Sequence, residues 1–306
     1  MSAAQSGRIL ALLELVDEAP EVEELASYLA DPDPEVRRTA LSVLSEAADD
    51  WKEASPVFAA ALLDADAAVR DRAADLLREL REVIEPSPEF ESGLRAALDH
   101  SEAAIRVAAI GALWRHRLTG AAELGSILRD PDERARREAV LGMVSLDDLD
   151  GLAAASGDPS PWVRIAAARG IGAVGDPRGI ATLTRMHDDD DPLVRAASLA
   201  ALAQTGCTDD AAGLAVRALD DPSWEVRQAA ATALAASNVS ATVDPLITAS
   251  TDPNLDVRKA AVKALMPRLA GHPHVREALL RAQGDVDADV RAFARIALED
   301  HPDHHA

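Results

Sequence analysis

Asp252-Pro253-Asn254-Leu255-Asp256-Val257-Arg258-Lys259-Ala260-Ala261-Val262-Lys263-Ala264-Leu265 is the stretch that decides the fold. The same phrase, an acidic turn residue followed six positions later by arginine, recurs at residues 31–37, 64–70, 130–136, 158–164, 189–195, 221–227 and 285–291, and with His100 in the first place at 100–106. Nine arginines therefore mark nine units: Arg37, Arg70, Arg106, Arg136, Arg164, Arg195, Arg227, Arg258 and Arg291. Their spacings run from 28 to 36 residues, a period that belongs to repeat architectures rather than to one globular core.

Counted from each arginine, the preceding residue is Val or Ile in eight units and Ala135 in the other. The third following residue is Ala in eight units and Ser198 in one, and the seventh is Leu, Ile or Met throughout. Positions −1, +3, +4 and +7 lie on one face of a helix. This face is expected to be the core side of the second helix of a helix–turn–helix unit, with the small +3 residue permitting close approach. The first helix is carried by short apolar stretches such as 22–29, 57–63 and 214–219. The turn aspartate is placed to cap the second helix, and the arginine to bond the aspartate of an adjoining unit, giving a structural ladder.

The pattern resembles the HEAT repeat, in the short form also called the phycobilisome-lyase-type HEAT-like repeat, over residues 22–299. The resemblance implies an all-α, right-handed α-solenoid of about nine helix pairs, with the second helices on the concave face. It also implies a scaffold, adaptor or binding platform. One solenoid over 1–306 is expected: an N-terminal capping helix within 1–20, nine repeats over 21–299 and a frayed tail at 300–306. The run Glu85-Pro86-Ser87-Pro88 marks a local irregularity at the longest spacing.

Composition narrows the function. The net charge of −22 repels phosphate backbones and disfavours nucleic acid as main ligand; its sign favours a basic protein partner. One cysteine, Cys207, precludes an intrachain disulfide and suits a reducing cytoplasm. No apolar run approaches the roughly 20 residues of a membrane span. Asp188-Asp189-Asp190-Asp191 lacks the shaped loop a hard cation requires, and the histidines at 272, 274, 301, 304 and 305 form no recognisable ligand set. No metal, cofactor or catalytic residue is expected.

Positions +1, +5 and +8 of the second helices are expected to face the groove, where the central units are apolar with embedded arginines. Val107, Trp114, Arg137, Leu141, Ile165 and Arg169 form the candidate partner-binding patch. Trp162 and Trp224 are expected in turns at one edge, and Trp51 between helices of the first unit. The leading reading is thus a non-catalytic cytoplasmic adaptor binding a protein or peptide. Two alternatives follow from resemblance alone: a lyase or chaperone-like subunit acting on a tetrapyrrole-carrying protein, and a DNA-alkylation-repeat-like DNA binder, which the charge opposes. Iron-dependent deoxyhypusine hydroxylases resemble the scaffold too, but the chain has no His-Glu pair.

Overall fold

A computed structural model describes residues 3–206, 209–237, 239–270 and 272–300; Cys207 and residues 301–306 lie outside them. Within these residues every regular element is helical. Helix α1 (Ala3–Glu14) is followed by nine pairs. The first helices are α2 (Val22–Leu29), α4 (Trp51–Ala61), α6 (Pro88–Ala97), α8 (Ala121–Ile127), α10 (Leu149–Ala155), α12 (Ile180–Met186), α14 (Asp209–Ala218), α16 (Val243–Ala249) and α18 (Pro273–Ala282). Each precedes its second helix: α3 (Pro34–Ala47), α5 (Ala67–Glu79), α7 (Ala103–Arg115), α9 (Glu133–Ser145), α11 (Pro161–Val174), α13 (Pro192–Thr205), α15 (Trp224–Ala235), α17 (Leu255–Leu265) and α19 (Ala288–Asp300). The helices group into two compact units, residues 1–146 and 147–306. In each unit successive second helices lie side by side, with α3, α5, α7 and α9 in the first and α11 to α19 in the second.

The register explains the packing. Val36, Ala40, Leu41 and Leu44, at −1, +3, +4 and +7, are all buried in α3, as are Val257, Ala261, Val262 and Leu265 in α17. Opposite them most first helices supply at least one large, wholly buried anchor, such as Leu25, Phe58, Phe90, Leu183 or Leu279. Arg295 takes the +4 position of α19 and is exposed, no further second helix covering it among the described residues. Several first helices begin earlier than their apolar stretches suggest. Trp51 opens α4, where Asp50 accepts the N–H groups of Lys52 and Glu53 and so fixes the start, rather than lying between helices.

The turn aspartate does a different job from the expected one. Asp31, Asp64, Asp130, Asp158, Asp189, Asp221, Asp252 and Asp285 each accept the backbone N–H of the residue two positions on, at 2.7–2.9 Å, tightening the turn. His100 Nδ1 performs the same role at 3.1 Å. That second residue is the actual N-cap in most repeats: Asp33, Asp66, Asp132, Ser160, Asp191, Asn254 and Asp287 accept the helix N–H groups. The repeated aspartate is thereby free to receive arginine from the preceding repeat. Arg37 reaches Asp64, Arg106 Asp130, Arg164 Asp189, Arg195 Asp221, Arg227 Asp252 and Arg258 Asp285, each through two nitrogens at 2.7–3.1 Å. The third nitrogen bonds the two carbonyls of the arginine's own turn, as Arg195 does with Asp189 and Asp190. Where His100 removes the carboxylate, Arg70 pairs with Glu102 instead and leaves its Nε buried without a partner. Arg8 of α1 extends the series by bonding Asp31 at 2.7 Å.

Burial pushes the ladder carboxylates up, yet the arginine hydrogen bond, the backbone N–H and the guanidinium charge outweigh it and hold Asp64, Asp130, Asp189, Asp221 and Asp252 below the ordinary carboxylate range. A carboxylate lowered in the fold contributes stability that is complete above its unfolded value, about 3.9, and lost as pH falls through the folded value. Burial also holds neutral His116 and His187 below the usual histidine range, so they disfavour the fold once pH drops under about 6.5. The melting temperature is expected to decline gently below about pH 6.5 and steeply below about pH 4; a flat profile between pH 5 and pH 2.5 contradicts the ladder's ionisation.

Close approach of two second helices is tight at Gly172 of α11, where an added Cβ would lie 2.9 Å from both Cα and Cβ of Ala201 in α13. Gly125 in α8 has nothing within 4 Å of the same position. Alanine is worth about 0.5–1 kcal/mol over glycine inside a helix, while overpacking costs about 1–3 kcal/mol. Gly125→Ala is therefore expected to raise, and Gly172→Ala to lower, the urea midpoint. Stabilisation by both substitutions would show that α11 and α13 are not in this contact.

Candidate functional site

The second helices turn one row of side chains outward. Position +5 forms the crest in most of them: Asp75 and Leu141 in the first unit and Arg169, Ala200, Thr232 and Lys263 in the second are exposed, whereas Ser42 is half-buried and Gly111 buried. Positions +1 and +8 are mixed: Arg38, Asp71, Arg78, Arg137 and Ala235 are exposed, whereas the other such residues from α3 to α17 are half-buried or fully covered. The six residues of the expected patch divide accordingly, with Val107, Trp114, Arg137 and Leu141 in the first unit and Ile165 and Arg169 in the second.

In the first unit the patch is not a continuous apolar surface. Leu141 is 46% exposed and Arg137 is exposed, but Val107 and Trp114 are half-buried. The Trp114 Nε1–H donates to Glu138 Oε1 at 2.9 Å, and the Arg115 guanidinium lies 4.4 Å from the centre of the ring while bonding the same oxygen at 3.0 Å. An anchoring indole already roofed by a cation and tied at its edge offers little free face. Glu138, two residues beyond the ladder Arg136, is not legible in the sequence as its partner.

In the second unit the groove is open. Trp162, Ile165 and Arg169 line one wall from α11 and Leu193 and Ala200 the other from α13, with Gln228 of α15 beyond, around about 280 Å³. Ile165 is only 5% exposed, a correction to its expected place on the surface. Ile165 lies at +1, where α11 and α13 pack against one another, and it forms the floor. Trp162 is instead the exposed wall, at 51%. It belongs to the first turn of α11, not to the preceding loop, because Ser160 caps the helix and Pro161 opens it. Trp162, Ile165 and Arg169 are then three and seven residues apart on one helical face. Arg169 makes no ion pair or hydrogen bond among the described residues, so its charge is available. Leu193 is absent from the expected patch, although it lies 31 residues after Trp162 and 31 before Trp224, one repeat length each way.

Known proteins share the helical-repeat fold. A sequence model of HEAT repeats matches residues 149–218 and 211–299. Residues 149–299 are built of HEAT repeats. Among solved structures, an engineered protein is 19% identical and aligns over 98% of this chain and 96% of its own, with a TM-score of 0.55. Kap121p bound to Nup53p is 14% identical over 91% of this chain, with a TM-score of 0.58; the chain spans 37% of that protein's length. The complex of CpcE and CpcF of phycocyanin lyase from Nostoc is 23% identical over 72% of this chain and 92% of its own, at a TM-score of 0.43. No curated protein matches the sequence.

The HEAT framework also accounts for the dense acidic run. Asp189 receives Arg164, Asp191 caps α13, and among the described residues no cluster of three or more His, Cys, Asp or Glu side chains is arranged to hold a metal ion. Among the described residues no helix is long and apolar enough to cross a membrane. Trp224 opens α15 at 39% exposure and, like Trp162, stands on a second helix rather than in a turn.

Tryptophan emission separates these environments. Acrylamide is expected to quench Trp162 and Trp224 readily and Trp114 weakly, so that Trp162→Phe removes a quenchable component and Trp114→Phe a protected one. Equal loss of quenchable emission in both variants would contradict the roofed Trp114.

Proposed function

We propose that this HEAT-repeat chain is a non-catalytic scaffold that binds a protein or peptide segment across the second helices of its second unit. The observation that carries the reading is the open groove in which half-exposed Trp162, exposed Leu193 and unpaired Arg169 converge over an apolar floor. Exposed apolar surface bordered by tryptophan and arginine is the composition of interaction hot spots. At about 280 Å³ the groove is shallow for a cofactor, whose sites span about 300–1,000 Å³ and enclose most of the ligand; it suits side chains from a longer segment. A structural neighbour, Kap121p, has been solved bound to Nup53p, which is in keeping with a protein ligand. Leu141 and Arg137 in the first unit provide a second, weaker surface.

The test is affinity capture from the native host with the wild-type chain, Trp162→Ser plus Leu193→Ser, and Trp114→Ser plus Leu141→Ser, all checked for unchanged melting. A partner retained by the wild type should be lost on the first double variant, with affinity reduced at least tenfold, about 1.4 kcal/mol, and reduced less on the second. Retention on the first double variant at wild-type affinity would remove this groove from the function.

A further inference from the structure

The groove and the chain differ in charge. The protein carries −22, yet α11 and α13 contain no Asp or Glu at all, and the single carboxylate of α15, Glu225, accepts from Ser223 Oγ. Of the acids near their N-terminal ends, Asp189 and Asp221 are neutralised by Arg164 and Arg195 and Asp191 is engaged as a cap, while exposed Asp188, Asp190 and Asp220 lie outside the groove lining. What remains facing the groove is the Arg169 guanidinium with the amides of Gln204 and Gln228. A basic partner, which the total charge favours, would here meet an unpaired cation and no acid.

The apolar rim has a period. Trp162, Leu193 and Trp224 recur every 31 residues on three successive second helices, at 51%, 41% and 39% exposure. Packed helices stand about 8–10 Å apart. Seven residues of an α-helix rise about 10.5 Å, so a helix crossing α11, α13 and α15 presents an equivalent side chain to each gap every two turns. Between the rim residues α13 presents only half-buried Ala196 and exposed Ala200, low enough for a helix to settle against them.

On the scaffold reading above, we infer that the occupant is an amphipathic α-helix with large apolar residues at seven-residue spacing and a carboxylate beside them to meet Arg169. Trp162, Leu193 and Trp224 bracket the apolar residues, Ile165 and the alanines form the floor, and Arg169 sets the charge preference and with it the direction in which the helix lies. The recognition mode is a helix in a groove.

A displayed library of helix-forming peptides of about 20 residues, about 30 Å and enough to cross three second helices, tests this on the immobilised full chain. The flanking and apolar positions are randomised. Enriched peptides are expected to carry heptad-spaced apolar residues flanked by Asp or Glu, and a Lys-flanked copy of the best one should bind at least tenfold more weakly by fluorescence anisotropy. Selection on Arg169→Glu should reverse the flank preference; Arg169 is exposed and unpaired, so the fold tolerates it. Enrichment of basic or proline-rich extended peptides that compete for the Trp162 groove would overturn the helix while leaving the scaffold reading intact. No enrichment, or a flank preference unchanged by Arg169→Glu, overturns the inference as well.

Discussion

Within each unit one side chain ties a repeat to the next. The repeated arginine spends one nitrogen on two carbonyls of its own turn and two on a carboxylate of the following turn. Arginine suits this because its planar fork reaches a carboxylate through two parallel bonds while still presenting a third donor. Both partners are largely withdrawn from water, 16% and 11% exposed for Arg195 and Asp221. An ion so placed costs more than it returns unless it is fully bonded. The aspartate meets this condition by accepting a turn N–H as well, so a single carboxylate shapes its own turn and receives the neighbour. Glycine and alanine then set how near the second helices come, as at Gly172 and Ala201.

That arrangement decides where function is free to sit. Ladder, caps and turns absorb many of the acidic side chains at the ends of the second helices, and in α11 and α13 the middle of the helix is left, apart from Arg169, to small or apolar residues. In α11 and α13 the result is a surface without acid inside a strongly acidic chain. Total charge is therefore a poor guide to the partner of this groove. The first unit shows the opposite local outcome, since Trp114 has been drawn into a bonded cluster with Arg115 and Glu138 and gives up most of its exposed ring.

The repeat, its register and the arginine ladder are legible in the sequence because each is enforced in almost every unit by the same steric or electrostatic demand. The aspartate's role is not, because the residue two places later varies among Asp, Ser, Asn and Glu and hides the true cap. Ile165 reads as a surface residue for a similar reason: a fixed offset from arginine ignores how far the next helix covers each position. Trp162 reads as a loop residue only if the turn extends through it, whereas Ser160 and Pro161 already start the helix. The rim of Trp162, Leu193 and Trp224 is visible as a period of 31, but only the helix boundaries give it a surface to stand on. Contacts between side chains of different repeats, such as Trp114 with Glu138, have no fixed spacing and leave no trace in the sequence.

If the arginine–aspartate link is the constraint that the stack depends on, its two members must be energetically coupled. A double-mutant cycle on Arg195→Ala and Asp221→Ala, read by urea unfolding, measures that coupling directly. The account predicts a coupling energy of about 2 kcal/mol, within the range for bonded buried pairs, with each single variant destabilised by about 3 kcal/mol because its partner is left buried and unpaired. Additivity within about 0.5 kcal/mol would mean that the helices stack without the ladder, and would contradict the account at its centre.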